Sequence, residues 1–126
     1  MINLRNFFDD YDFHDSVVDG IVLNTQTKQM SFSIDLCLFR QKGYQKGDPQ
    51  NQKGKLVFSH VKEFMSDPDI SLIHWKNQDG QILDADTDDQ GIISIFFTVC
   101  DYSSKQEDVY IIKFSAEKAE WLTLED

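Results

Sequence analysis

The sequence has few cysteines, prolines and histidines, and no long apolar run. It contains two Cys, two Pro and three His in 126 residues. Because Cys37 and Cys100 lie far apart, each inside an apolar stretch, we predict reduced core thiols rather than a disulfide framework or a metal site. No segment approaches the run of about 18 apolar residues that spans a bilayer, and residues 1–6 lack the build of a signal peptide. We therefore expect a cytoplasmic protein without membrane association.

Basic residues are also scarce, with 12 Lys and Arg against 22 Asp and Glu and a formal net charge of −10. Such a surface repels phosphate and anionic lipid, so direct binding to nucleic acid or membrane is disfavoured, whereas a basic protein would be attracted. The chain is 40% hydrophobic with ten Phe, which argues against intrinsic disorder. Its length suits a single domain spanning residues 1–126.

Hydrophobic periodicity favours β-strands along most of the chain. Apolar residues alternate with polar ones from Met30 to Leu38, which predicts a strand with one buried face. The run from Ile92 to Cys100 is apolar on both faces, which predicts a central strand covered on both sides. Further strands are expected at residues 16–24, 55–59, 71–76, 81–83 and 109–114. The tail from Ser115 to Asp126 is ambiguous between a helical turn and a last edge strand.

The remaining segments predict helical turns and loops. Leu4, Phe7, Phe8 and Tyr11 have helical spacing and predict a short amphipathic N-terminal helix, and a helical turn is expected at 61–65. Residues 40–54 are expected to form a long mobile loop. A hairpin turn is predicted at Asp79-Gly80, and an acidic turn at residues 84–91. The expected fold is mainly β, α+β at most. Its six or seven strands would form a meandering antiparallel sheet curling into a sandwich or half-barrel, with the helix against it.

The first candidate site is Phe13-His14-Asp15-Ser16, just before the first predicted strand. A His, an acid and a hydroxyl are catalytic residue types, but adjacent residues on an extended chain point to opposite faces and cannot form a triad together. We interpret Asp15 or Ser16 as a turn cap and His14 as bonded to backbone at the start of the sheet. His14 and Asp15 remain candidate binding residues.

The second candidate is the acidic turn from Asp84 to Asp89. Its alternating acids resemble the start of a calcium loop, but the sixth position is Asp89 instead of Gly and the twelfth is Ile95 instead of Glu. A solvated hairpin tip is therefore favoured over a metal site, and no cofactor is predicted. Asp84, Asp86 and Asp88 are retained as candidate binding residues for a partner.

The loop at 40–54 reverses the sign of the overall charge. Its cations, opposed by Asp48, are Arg40, Lys42, Lys46 and Lys53, with Lys55 just beyond. This loop suits an anionic ligand or an acidic partner, but a solvated loop is favoured because the dense basic spacing of nucleic-acid binders is missing. His60 and His74 have no metal-ligand spacing and are interpreted as structural.

The segment from Phe13 to Ile21, FHDSVVDGI, is followed by an alternating strand and then by LVFSHV at 56–61. In these features the chain resembles a loose group of small bacterial domains, some of which look like immunity proteins that neutralise toxins in bacterial competition. The resemblance covers about the first half of the chain. It implies a β-rich fold and a protein-binding role, and it carries over no catalytic residue.

Three hypotheses for function follow. The leading one is a non-enzymatic protein-binding module, immunity-like in form, whose acidic face around Asp9, Asp10, Asp12 and 84–89 binds a basic partner. The alternative is a small-molecule binder or minor hydrolase with an aromatic-lined pocket at the sheet mouth that uses His14 or His74. The third is self-association through an edge strand, so both a monomer and a homodimer remain open.

Overall fold

A computed structural model describes residues 4–124 and shows one helix and eight strands within them. Helix α1 spans Leu4–Asp10. The strands are β1 Val17–Asn24, β2 Gln29–Cys37, β3 Asn51–Ser59, β4 Lys62–Asp67, β5 Gln78–Thr87, β6 Ile92–Asp101, β7 Glu107–Ser115 and β8 Lys118–Thr123. They form one antiparallel sheet in the order β4-β7-β6-β5-β1-β2-β3-β8, which is not closed into a barrel. The predicted mainly β fold with a short N-terminal helix is confirmed.

The sheet curls about a narrow seam between β1 and β5. These strands pair at two positions, Val17 with Gln81 and Val18 with Gly80, whereas the other neighbours pair over longer stretches. Phe58 of β3 meets Phe114 of β7 edge to face, with ring centroids 4.9 Å apart, although these strands lie near opposite ends of the sheet order. The inner faces of the two halves therefore pack against each other and enclose the core.

The core follows the period of two along each strand. On β2 the predicted alternation is confirmed, although Leu38 leaves the strand for a 3-10 turn at Leu38–Arg40. The buried inward residues of the central strands are Met30, Phe32, Ile34 and Leu36 of β2, Ile93, Ile95, Phe97 and Val99 of β6, and Tyr110, Ile112 and Phe114 of β7. Each large side chain contributes roughly 1.5–3 kcal/mol through burial, so this interior is the main stabilising feature.

Strand β6 departs from its prediction in one respect. It lies inside the sheet as expected, but burial alternates along it, so one face is fully buried and the other only in part. The outer residues Ser94, Phe96 and Thr98 are half-buried rather than buried. The predicted cover is complete on the inner face only, and the side chain of Phe96 on the outer face stays partly exposed.

The segment from Val61 to Met65 forms a strand instead of the predicted helical turn. A bulge lies between Lys62 and Met65 in β4, and Glu63 has a φ of 57° there. A bulge adds a residue to one strand and so breaks the period of two. The apolar positions then mimic helical spacing, which explains the wrong prediction.

Residues 71–83 also differ from prediction. The expected strand at 71–76 is instead a 3-10 turn at Ile70–Leu72 followed by irregular chain. Asp79-Gly80 is no hairpin turn but part of β5, where a Cβ on Gly80 would lie 3.0 Å from the Thr98 carbonyl oxygen. Gly80 is therefore needed for close strand approach and not for a turn.

Three predicted loops and termini are shifted. Strand β3 begins at Asn51, so the irregular part of the basic loop is limited to 41–50. The acidic turn is likewise shorter, because residues 84–87 belong to β5. In the tail, residues 118–123 form the edge strand β8, which pairs with β3. Of the two alternatives for the tail, the edge strand is therefore correct and the helical turn is not. Strands β4 and β8 raise the number above the expected six or seven.

Candidate functional site

Helix α1 is held against the sheet by aromatic packing. Phe7 is buried, with its ring centroid 5.0 Å from that of Tyr11 and 6.1 Å from that of Phe13. Phe8 stacks on Phe58 of β3 at 6.4 Å. The aromatic face predicted from the sequence thus fixes the helix, and Asp9 on the same helix is left exposed.

A groove forms where α1 meets the end of β5. Beyond Ile82, β5 pairs with β6 but not with β1, and α1 packs near that part of the strand. The groove has a volume of about 430 Å³. We call it the acidic groove and define it by its five carboxylates, Asp9, Asp10, Asp12, Asp84 and Asp86. Acids that lie far apart in the sequence are therefore brought together, as the leading hypothesis requires.

Two cations, Arg40 and Lys42, also line the acidic groove. Arg40 is already engaged: its Nη2 lies 2.5 Å and its Nε 3.1 Å from Oδ2 of Asp15. The charge of Arg40 is therefore compensated mainly by Asp15 and less by the five groove carboxylates. The groove keeps a net negative charge, because its five carboxylates are opposed by Lys42 and by the guanidinium of Arg40, which Asp15 already compensates.

Asp15 joins several segments beside the groove. Its second oxygen accepts a hydrogen bond of 3.2 Å from Gln81, and its backbone N–H donates to Ile82 at 2.9 Å. The hydrogen bond from Arg40 is the main cause that lowers the pKa of Asp15. The residue has a φ of 67°, a conformation that Asp and Asn tolerate better than most residues. We interpret Asp15 as a structural connection between the start of β1, the basic loop and β5.

The other members of the His-Asp-Ser motif do not complete a catalytic triad. Ser16 is fully buried, and its Oγ accepts a hydrogen bond of 2.9 Å from the N–H of Cys37. His14 Nδ1 lies 3.7 Å from Oδ2 of Asp15, beside a carboxylate rather than the backbone acceptor expected from the sequence. The motif connects the chain at the sheet entrance, and the Ser16 hydroxyl links the start of β1 to the end of β2 instead of capping a local turn.

The predicted binding residues separate into two groups. Asp84 and Asp86 line the acidic groove, whereas Asp88 accepts hydrogen bonds of 2.9 Å from the N–H groups of Gln90 and Ile92 and shapes the turn. His14 and Asp15 adjoin the groove through Arg40. Sequence reasoning could name the acids of both segments, but it gave no signal that α1 packs along β5.

A second cavity, of about 420 Å³, lies where β1 diverges from β5. Its apolar lining is formed by Ile21, Leu23, Phe64, Ile70, Ile73 and Trp75. Asp69 and Ser71 also line it, and the N–H of Ser71 lowers the pKa of Asp69 by bonding to its carboxylate. Neither His14 nor His74 lines this cavity. The aromatic pocket of the alternative hypothesis thus has a counterpart, but without its predicted histidines.

Within residues 4–124 no three His, Cys, Asp or Glu side chains are arranged to hold a metal ion. The same range contains no helix with the length and hydropathy of a membrane span. Both cysteines are free: Cys37 is buried, which raises the pKa of its thiol, and Cys100 is half-buried. The acidic groove itself is lined by carboxylates, Tyr11, Arg40 and Lys42.

Comparison with known proteins assigns no family to the chain. No protein-family model, curated protein or solved structure matches it. The resemblance to immunity-like domains stays a prediction, and the function is inferred from the geometry of the site.

Proposed function

We propose that this chain is a non-enzymatic protein-binding module that takes a basic protein partner in its acidic groove. The observation that carries the proposal is the convergence of Asp9, Asp10 and Asp12 with Asp84 and Asp86 from β5. Together with a net charge of −10, this arrangement supplies an electrostatic field that steers a basic surface toward one place. Neutralising a bacterial toxin, as the resemblance implies, is one form of this function.

The groove carboxylates are suited to an external partner because several have none within the fold. The side chains of Asp9, Asp10 and Asp84 are exposed and form no hydrogen bond or ion pair with another residue of the described chain. One exposed ion pair contributes only about 0–1 kcal/mol, so binding must use several at once. A groove that collects five carboxylates meets that requirement better than scattered surface acids.

The test compares two triple variants that change the net charge equally. The groove variant carries Asp9→Asn, Asp10→Asn and Asp84→Asn, and the control carries Asp19→Asn, Glu107→Gln and Asp108→Asn. Each immobilised protein is exposed to cytosol of the source cell at low and high salt, and captured proteins are identified by mass spectrometry. We expect the wild type and the control to enrich the same basic protein at low salt and the groove variant to lose it.

Equal losses in both variants would show that overall charge, and not the groove, is responsible. Recovery that does not change with salt would also contradict the proposal, because exposed charge pairs are screened within about 8 Å at physiological ionic strength. Circular dichroism of the three proteins should be identical, which confirms that the substitutions leave the fold intact.

The apolar cavity favours a second candidate, the binding of a small apolar molecule. Binding pockets of this kind are mostly apolar with a few polar groups, which describes the lining of Ile21, Leu23 and Trp75 with Asp69. Indole can serve as the probe in a nuclear magnetic resonance titration of methyl-labelled protein. Shifts confined to the lining methyl groups, and lost in a cavity-filling Leu23→Trp variant, would support this function. Shifts scattered over the surface would exclude it.

A further inference from the structure

A row of four cross-strand partners runs over the open outer face of the sheet. Asp84 of β5 pairs with Phe96 of β6, Phe96 pairs with Ile111 of β7, and Ile111 pairs with Asp67 of β4. Directly opposite residues of antiparallel strands project from the same face. Two apolar side chains therefore stand between two carboxylates, and we call this set the apolar row.

The apolar row is only partly covered by the rest of the described chain. Phe96 and Ile111 are half-buried, and nearby Val109 and Met65 are 53% and 51% exposed. An antiparallel sheet with one open face normally alternates apolar inward residues with polar outward ones. A contiguous apolar surface with a polar rim typically marks an interaction site. On the outer face of β6 and β7, Phe96, Ile111 and Val109 form such a surface, bordered by Thr98 and by the exposed Lys113.

The carboxylates at the two ends of the row define the chemistry of its partner. Neither Asp67 nor Asp84 forms an ion pair or a side-chain hydrogen bond within residues 4–124. With strands about 4.8 Å apart, the row is about 14 Å long. Residues i and i+4 of an extended chain are about 13 Å apart, so two cations separated by three residues match the two carboxylates.

We propose that the apolar row docks an extended segment of the basic partner in which an apolar side chain lies between two Lys or Arg residues. The inference rests on the proposed function, because Asp84 belongs both to the acidic groove and to the row. The apolar side chain packs on Phe96 and Ile111, and the flanking cations bind Asp84 and Asp67. The groove steers the partner, and the row anchors it, as buried apolar contacts do at most interfaces.

A second copy of the chain fits this surface less well. Each copy carries a net charge of −10, and a face-to-face dimer would bring the carboxylates that flank one row toward those that flank the other. Like charges opposed across an interface are unfavourable and suppress that pairing. Charge complementarity therefore selects a basic partner.

Three capped pentapeptides test this inference: Lys-Thr-Phe-Thr-Lys, Lys-Thr-Ser-Thr-Lys and Glu-Thr-Phe-Thr-Glu. Each is titrated into isotope-labelled protein, and amide and methyl shifts are mapped. We expect the Lys-Phe peptide to shift Phe96, Ile111 and Asp67 and to bind about tenfold more tightly than the Lys-Ser peptide, a ratio equivalent to 1.4 kcal/mol. The Glu-Phe peptide should not bind, because its charges oppose those of the row.

Two variants separate the parts of the inference. Phe96→Ser with Ile111→Thr should remove the tenfold advantage and leave the weaker Lys-Ser binding unchanged, whereas Asp67→Asn alone should weaken both Lys peptides. The asparagine change tests the row without altering packing, so the experiment does not depend on the folding of the apolar variant. Equal affinity of the Lys-Phe and Lys-Ser peptides would overturn the inference.

The failure of this inference differs from failure of the proposed function. If the Lys-Ser peptide shifts only residues of the acidic groove and phenylalanine adds nothing, the groove remains and the row is wrong. If neither Lys peptide produces localised shifts, both are wrong. Light scattering that shows a dimer, dissociated by the Phe96→Ser change, would assign the face to a second copy and would equally overturn the inference.

Discussion

At the residue scale, Asp15 shows how a single carboxylate can connect distant segments. It bonds Arg40 of the basic loop and Gln81 of β5, and it holds a left-handed backbone conformation at the start of β1. The short sequence motif made this residue conspicuous, but its partners lie 25 and 66 positions away. Its place in the motif could be predicted, whereas its role depends on the tertiary fold.

Replacing Asp15 by Asn should produce a pH-dependent loss of stability. Arg40 lowers the pKa of Asp15 below its ordinary value of 3.8. The ionised form therefore stabilises the fold fully above that value, and the contribution is lost as the pH falls through the lower pKa of the folded state. Asn retains the tolerance for positive φ. Denaturant unfolding from neutral to acidic pH should show a difference from wild type that disappears at the acid end, and a constant difference would contradict this.

Gly54 gives a prediction about close packing between β3 and β8. A Cβ at this position would lie 2.5 Å from the Leu122 carbonyl oxygen and 2.5 Å from the ring of Trp121. Gly54→Ala should therefore destabilise the protein by roughly 1–3 kcal/mol through overpacking. Gly20→Ala is the matched control, because its nearest atom, in Ser33, is 3.7 Å away. Similar midpoints of chemical unfolding for the two variants would show that the contact is not limiting.

At the element scale, the regular strands could be predicted and the irregular ones could not. The alternation in β2 reflects burial of one face, so it is visible in the sequence itself. In β4 the bulge near Glu63 breaks that alternation, and nothing local in the sequence marks where a bulge falls. The cover on the outer face of β6 was overestimated for a related reason, since hydrophobicity alone does not show whether another element of the chain packs there.

Helix α1 should be essential for forming the acidic groove. Phe7 is its buried residue, and Phe7→Ala should cost about 3–5 kcal/mol because a large core side chain is lost. The matched control is Phe39→Ala, a phenylalanine that is 54% exposed and should cost far less. Hydrogen exchange of the α1 amides should accelerate in the Phe7 variant alone. Equal protection in both variants would show that α1 is held by other contacts.

At the scale of the whole molecule, the fold concentrates part of the overall negative charge in one groove. The net charge of −10 could be read from the sequence, and it indicated only that a basic partner is favoured. The acidic groove exists because α1 packs beside the part of β5 that β1 does not cover. Such contacts between distant segments have no local signature, so the groove required the structure.

The most direct test of the account is the location at which a simple cation binds. Tetralysine is titrated into isotope-labelled wild-type protein at low salt, and amide shifts are compared with those of the Asp9→Asn, Asp10→Asn, Asp84→Asn variant. We expect shifts concentrated around Asp9, Asp10, Asp84 and Asp86, absent from the variant and suppressed by salt. Shifts spread evenly over the acidic surface, or unchanged in the variant, would contradict the claim that the acidic groove is the binding site.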